Sequence, residues 1–423
     1  MSSENAPRWR RYLSLHFLVG KVQEKGVVWC LKVGASKLCY LLVRTITKVL
    51  WPLYFVILDP IMKLLRVEFV FLGLPSRFGH LAAEPECYLK KIYVEDKHVR
   101  PIFLINKTKV VNAYLIRLWE QENTVWHIGS GAERLVRTLA TSCLPNFVRY
   151  AYGDIRSSYN ILSAYSGPPL VNIHREDLLR GETILRQMGI PDNAWFVCVH
   201  NREGGFLQES DYSTCRNADI GDYIEAIRFI VNQGGYVVRM GDPTMAKLPS
   251  IEHVVDYPHT EWKSEFMDIV LCNRCFFFLG TISGPVAVTR LFDTPICLAN
   301  IVPLLEIPIN AGKVFIPKLI YSTKENRYLT FAEIICSDIG HLYRTKNYAS
   351  RDLIVQENSS AEIVELVREM LKIQTGSVRY SNEDEELQAA FRKIFSDAGV
   401  VFRSSARIGR HFARKYRHLF KTE

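Results

Sequence analysis

Three segments of the sequence combine small residues, hydroxyls and guanidinium groups in the way an anion site requires. They are Val199–Gly205, Val238–Asp242 and Gly280–Pro285, each at the end of an apolar run. In the last, Gly280, Thr281, Ser283 and Gly284 lead into a helical pattern. Small residues let a ligand approach the backbone, and free N–H groups at a helix start face an anion. Thr281 and Ser283 add hydroxyl donors, so a diphosphate suits this run, although an ordinary capped turn uses the same residues. Arg202 and Arg239 lie at strand ends, and each offers a planar fork of donors matched to phosphate oxygens. The alternative for Arg239 is a buried ion pair with Asp242 or Asp211. His200 can bind phosphate, brace Arg202 or serve structure alone. Gly241 and Asp242 close the second loop. Arg216 and Asn217 lie in a long polar stretch, 201–219, from which they can reach a ligand.

A proton acceptor has one leading candidate. His80 follows Gly79 in a loop after the first predicted strand, and a histidine takes a proton near neutrality. Glu84, four residues on, shares its helical face and can orient it. His80 can equally contact phosphate or cap the helix. Several other chemistries lack their motifs. There is no DxD, no GxGxxG after a leading strand, no GxxxxGK[ST] and no GxSxG, which argues against a carboxylate-clamped metal, a dinucleotide site, a P-loop and a serine nucleophile elbow. Cys272 and Cys275 form a CxxC with no second pair at useful spacing, so no zinc site is expected.

These loops need strands and helices behind them. Val67–Leu72, Ile102–Asn106 and Val125–Ile128 read as strands, and 110–121, 132–143 and 176–188 as helices. After Pro191, strands are predicted at 194–200, 236–240, 253–255, 275–279 and 295–299, with helices between them. Alternation of this kind predicts parallel sheets covered by helices. Open sheets of that type bind ligands where loops leave the carboxyl ends of adjacent strands. The expected organisation is a leader over 1–66, a first α/β domain over 67–190, a second over 191–372, and a linker with a basic C-terminal helix over 373–423.

The chain has 423 residues, 48% of them hydrophobic, and a net charge of +9. Residues 1–66 hold 11 Lys or Arg against 3 acids, and 403–421 hold 7 against none, which leaves −6 for the rest. An acidic body with two basic ends does not suit nucleic acid, which would want its basic stripe on the folded body. The stretch 27–72 is apolar but broken by Arg44, Lys48, Asp59 and Lys63, with Tyr40, Trp51 and Tyr54 among them. That pattern predicts amphipathic helices on an anionic membrane surface, with a docked helix and an imperfect span as alternatives. At the other end, Phe402, Ile408, Phe412, Tyr416, Leu419 and Phe420 form an apolar stripe backed by basic residues. It can touch lipid headgroups or pack on the acidic body.

The segments Arg77–Ala82, Arg216–Asp219, Gly235–Asp242, Phe278–Pro285 and Ala406–Gly409 occur in this order in a known group. On them the chain resembles the bacterial glycosyltransferase family associated with surface-polysaccharide loci. More distantly it is similar to GT-B fucosyltransferases, through His200–Asn201–Arg202 and the later Thr281 and Ser283. The resemblance implies a GT-B-like pair of doubly wound domains facing across a cleft. It implies metal-independent glycosyl transfer from a nucleotide-sugar donor, with no separate cofactor, to a cell-surface polysaccharide or lipid-linked glycan. The enzyme would sit peripherally on the cytoplasmic face of the bacterial inner membrane. Glu203–Gly204–Gly205 after the Arg departs from the fucosyltransferase pattern. A non-catalytic nucleotide or anionic-glycan binder is the competing class. Oligomeric state is left open.

Overall fold

The computed structural model describes residues 57–140, 148–151, 161–162, 164–204, 214–306, 312–400, 402 and 404–421, together with Thr45. Most of the expected leader therefore lies outside the described residues, as does Asp211. The elements run α1 (Asp59–Leu65), β1 (Val67–Phe71), α2 (Phe78–Val94), β2 (Arg100–Asn106), α3 (Ala113–Glu122), β3 (Thr124–Ile128), α4 (Ser130–Thr138), β4 (Val148–Tyr150) and α5 (Arg175–Gln187). They continue with β5 (Phe196–His200), α6 (Ile224–Asn232), β6 (Tyr236–Arg239), β7 (Val254–Asp256), α7 (Glu265–Arg274), β8 (Phe277–Gly280), α8 (Gly284–Leu291) and β9 (Ile296–Ile301). The remainder is β10 (Gly312–Pro317), β11 (Leu319–Ser322), β12 (Arg327–Tyr328), α9 (Phe331–Ile335), α10 (Thr345–Ala349), β13 (Leu353–Gln356), α11 (Ser360–Gln374), α12 (Asn382–Asp397), β14 (Arg407–Ile408) and α13 (Arg410–Lys415).

The chain divides into two compact units. One comprises the described residues through Gly73, with His98–Thr108 and Trp126–Tyr150. Its sheet has the order β3-β2-β1-β4, with β1 parallel to both β2 and β4. Phe71, Leu104, Ala140 and Val148 form its core. Buried Glu133 accepts a 2.6 Å hydrogen bond from Asn106 and a 3.0 Å one from Arg137, so its carboxylate is fully engaged.

The other unit comprises Leu74–Lys97, Lys109–Val125 and the chain from Ala151 onward. Its main sheet has seven strands in the order β14-β10-β9-β8-β5-β6-β7, and every pairing is parallel. Strands β5, β8 and β9 are buried along their whole length, as parallel strands covered on both faces must be. A small antiparallel sheet, β12-β11-β13, joins it. The α/β class and the parallel sheets are as the alternating pattern predicted. Helices α2 and α3 group with the seven-stranded sheet, so the division between units does not fall at one point near residue 190. Buried Glu86 of α2 explains the attachment of that helix. It accepts a 3.0 Å hydrogen bond from Arg290 Nε of α8 and a 2.8 Å bond from Lys90. Burial alone would raise the Glu86 pKa, but the charges of Arg290 and Lys90 outweigh it and hold it below the ordinary value.

Two expectations need correction. The expected linker after residue 373 is short, because α12 begins at Asn382 behind a Ser381–Asp384 capping box. The basic end is not one helix either. It forms strand β14, short α13 and a final turn, with Ile408, Phe412, Leu419 and Phe420 buried. Ion pairs from Arg407 to Glu385, Arg414 to Asp384 and Lys415 to Glu362 fasten it to acidic helices. The packing of this end on the acidic body is as one of the two expectations had it.

Candidate functional site

Reading outward from β5, the chain fills one side of the sheet with β6 and β7. It then returns to the other side of β5 with β8, β9, β10 and β14. The strand order therefore reverses between β5 and β8. Their carboxyl ends are level, with His200 paired opposite Gly280. Open parallel sheets carry their ligand crevice at such a reversal. Gly280 is obligatory for the close fit, because a Cβ there would lie 2.4 Å from the His200 carbonyl oxygen. The Arg202 N–H donates to Thr281 Oγ1 at 3.1 Å and ties the two loops together.

A cavity of about 440 Å³ opens over this point. Among the expected residues, His80, His200, Arg202, Arg216, Asn217, Gly241, Asp242, Ser283 and Gly284 line it. All of them belong to the larger unit, so His80 approaches from within the same unit as the strand-end loops. Gly280 and Thr281 lie just behind the lining. Arg239 is fully buried and does not line the cavity. Its guanidinium donates to Glu203 Oε1 at 2.9 Å and to Asp256 Oδ1 at 3.1 Å. The ion-pair alternative for Arg239 is therefore realised, with partners other than the two foreseen. Glu203 also accepts from Asn201 Nδ2 and from the Ala246 N–H, so Arg239 braces the loop that carries Arg202.

Two helix starts meet at the cavity. Helix α8 begins at Gly284, after Ser283 in the cap position, and the Ser283 side chain does not cap it. Ser283 Oγ is shielded from solvent and has no partner. Helix α2 begins at Phe78, and a Cβ on Gly79 would lie 3.0 Å from Gly284 Cα. Both helix dipoles thus present their positive ends to one place. His200 is 6% exposed, and its Nδ1 also lacks a partner. Burial, reinforced by the Arg239 charge, lowers its pKa from 6.5 to about 4. It is a neutral ring at physiological pH.

Arg216 donates to the Ile282 carbonyl at 2.9 Å and lies 5.8 Å from the centroid of the Tyr343 ring. Lys318, nearly buried, donates to the Asn217 carbonyl and fixes that segment from below. The i,i+4 contact expected on α2 is present, with His80 Nδ1 3.2 Å from Glu84 Oε1 and Glu84 buried. Arg77, met in the sequence only as part of the Arg77–Ala82 motif, and Asn112, Lys263, Asp268 and Tyr343, which were not singled out there, also line the cavity. Asn112 was signalled, since it caps α3 through the Leu115 N–H. Lys263 and Asp268 pair at 2.5 Å, and nothing local marks them as neighbours of Arg202. Among the described residues no group of three or more His, Cys, Asp or Glu is arranged to hold a metal ion.

No protein-family model matches the chain, and no curated protein matches it. Among solved structures it is similar to a family 9 glycosyl transferase from Veillonella parvula, at 12% identity and a TM-score of 0.46, covering 72% of this chain and 97% of that one. It is also similar to the E. coli heptosyltransferase WaaC with ADP-2-deoxy-2-fluoro heptose, at 8% identity and a TM-score of 0.35, covering 58% and 91%. A third is E. coli ADP-heptose LPS heptosyltransferase II, at 12% identity and a TM-score of 0.28, covering 55% and 84%. At these identities and TM-scores, function has to be read from the chain's own residues.

Proposed function

We propose that the chain is a glycosyltransferase that holds the diphosphate of a nucleotide sugar at the strand-order reversal of the seven-stranded sheet. One observation carries the reading. His200 Nδ1 and Ser283 Oγ are buried polar atoms without partners, set beside Arg202, Arg216 and two converging helix starts. Unsatisfied buried polar groups are costly, and a phosphate oxygen would satisfy them.

In the transfer, the bond between the anomeric carbon and the diphosphate oxygen breaks, and a new bond forms to an acceptor hydroxyl. The electron pair goes to the departing phosphate. Arg202, Arg216 and the Gly284 N–H stabilise that charge, and in this reading they make a metal unnecessary. His80, oriented by Glu84, takes the proton of the acceptor hydroxyl. Arg239 is assigned a positioning role, holding Glu203 and thereby the Arg202 loop. The acceptor class we assign is a cell-surface polysaccharide or a lipid-linked glycan, as the motif resemblance implies.

The test is calorimetric titration with a panel of nucleotide sugars, followed by an assay for nucleoside diphosphate release, with and without EDTA. Arg202→Ala is expected to weaken the best donor by about 10- to 100-fold, the value of one or two charge-assisted hydrogen bonds. Failure of every nucleotide sugar to bind would remove the proposal. Binding without release in the presence of glycan acceptors would favour the non-catalytic binder.

A further inference from the structure

The smaller unit carries a helix whose apolar face is turned outward. In α1 and the helical turn before it, Ile57, Leu58, Ile61, Leu64 and Leu65 recur at the spacing of a single helical face. All five are exposed, Leu64 at 83% and Leu65 at 62%. The opposite face, with Asp59 and Met62, is the partly covered one. An ordinary surface helix has the reverse arrangement, with its apolar stripe buried and its polar face in water. Lys63 pairs with Asp59 at 2.6 Å, which cancels the only carboxylate of the helix. Lys63 and Arg66 lie with Asp59 on the polar face, away from the apolar stripe, and the first 66 residues together carry +8. Trp51 and Tyr54 precede it in sequence. Among the described residues no helix is long and apolar enough to cross a membrane.

We propose that this face of α1 docks on an anionic lipid bilayer. The apolar side chains enter the headgroup boundary, and the positive charge of the first 66 residues supplies the attraction to anionic headgroups. Charge complementarity selects a lipid surface over a second copy of the chain, since two copies would bring two +8 segments together. The inference is independent of the reaction proposed above.

The test is sedimentation of the full-length chain with vesicles of phosphatidylglycerol and phosphatidylcholine, and with phosphatidylcholine alone. The intact chain is expected to partition onto the anionic vesicles. A Leu64→Glu, Leu65→Glu double variant should lose at least tenfold in partition coefficient while keeping its melting temperature, because neither side chain supports the core. Equal partitioning of the two proteins would overturn the proposal, as would absence of the intact chain from anionic vesicles. Light scattering supplies a further outcome against it. If the intact chain is a dimer that the double variant dissociates, and neither binds vesicles, the face belongs to a second copy.

Discussion

Gly79 and Gly284 meet backbone to backbone, and this contact brings the starts of α2 and α8 to one place. A Cβ on Gly284 would lie 3.0 Å from the Gly79 nitrogen and 3.2 Å from Phe78 Cβ. The two glycines come from segments more than 200 residues apart in the chain. The buried Glu86–Arg290 pair joins the same two helices further along. The N–H groups at both helix starts are therefore preset before any ligand arrives, which is the condition for stabilising a developing charge without reorganisation.

Gly284→Ala is expected to cost about 1–3 kcal/mol, the range for overfilling a tight contact. It should also weaken nucleotide-diphosphate binding, because the helix starts must separate. Gly131→Ala is the control, since nothing lies within 4 Å of a Cβ there. Urea denaturation and calorimetric titration of both variants check this. An unchanged affinity in Gly284→Ala would show that the convergence of the two helix starts does not serve the ligand.

Arg239→Ala should damage the fold before it damages binding. The substitution removes a buried guanidinium and leaves Glu203 and Asp256, both partly exposed, without their shared cation. Because solvent reaches both carboxylates, the cost is about 2–3 kcal/mol, below that of breaking a fully buried pair. Combining Arg239→Met with Glu203→Gln and Asp256→Asn should recover much of that loss, because no uncompensated charge then remains. Chemical denaturation of the single and triple variants measures the difference. Equal destabilisation of the two would mean that the charges are not the reason Arg239 is held there.

Much of this site was legible because local grammar writes it. An apolar run that stops at Gly-Thr-Ile-Ser-Gly-Pro can only be a strand turning into a helix, and His80 with Glu84 share a helical face by spacing alone. For the same reason the carboxyl end of β5 was placed at His200, where it lies, and that of β8 one residue short, at Leu279 and not Gly280. What pairs with Arg239 was not legible. Its partners lie 36 and 17 residues away, and side-chain spacing carries no information at that range. Helix α12 was missed because its inward face includes Asp384 and Gln388 beside Phe391, Ile394 and Phe395, which blurs the apolar period. Two-residue β14 is too short to leave a pattern, and its strand character comes from pairing with β10.

His200 should give stability a pH dependence of known sign. Burial and Arg239 lower its folded-state pKa to about 4 from 6.5. Between these values the unfolded chain binds a proton that the folded chain does not. Stability contributed by the neutral ring is therefore complete above pH 6.5 and is lost as pH falls toward 4. The full loss is about 3 kcal/mol, at roughly 1.4 kcal/mol per pKa unit. His200→Asn should remove that component, so the difference in melting temperature between variant and parent should change sharply across this window. A difference that stays constant from pH 7 to pH 4 would contradict the lowered pKa.

The C-terminal segment makes a matching prediction for a carboxylate. Glu362 is nearly buried and accepts a 2.7 Å hydrogen bond from Lys415 and a 2.6 Å bond from Tyr416, besides capping α11 through Ser359. Burial alone would raise its pKa, but these hydrogen bonds outweigh it and hold it below the ordinary carboxylate value. A depressed carboxylate contributes stability above its unfolded pKa of about 4.5, and that contribution fades as the folded-state value is crossed on acidification. Lys415→Met should remove part of it. Because the lysine end is half exposed, solvent screening limits the cost to about 1 kcal/mol at pH 7. Thermal unfolding of parent and variant should differ at pH 7 and converge below pH 4.5. Curves that stay equally separated down to pH 3 would assign the loss to lysine packing and remove the ion pair as its cause.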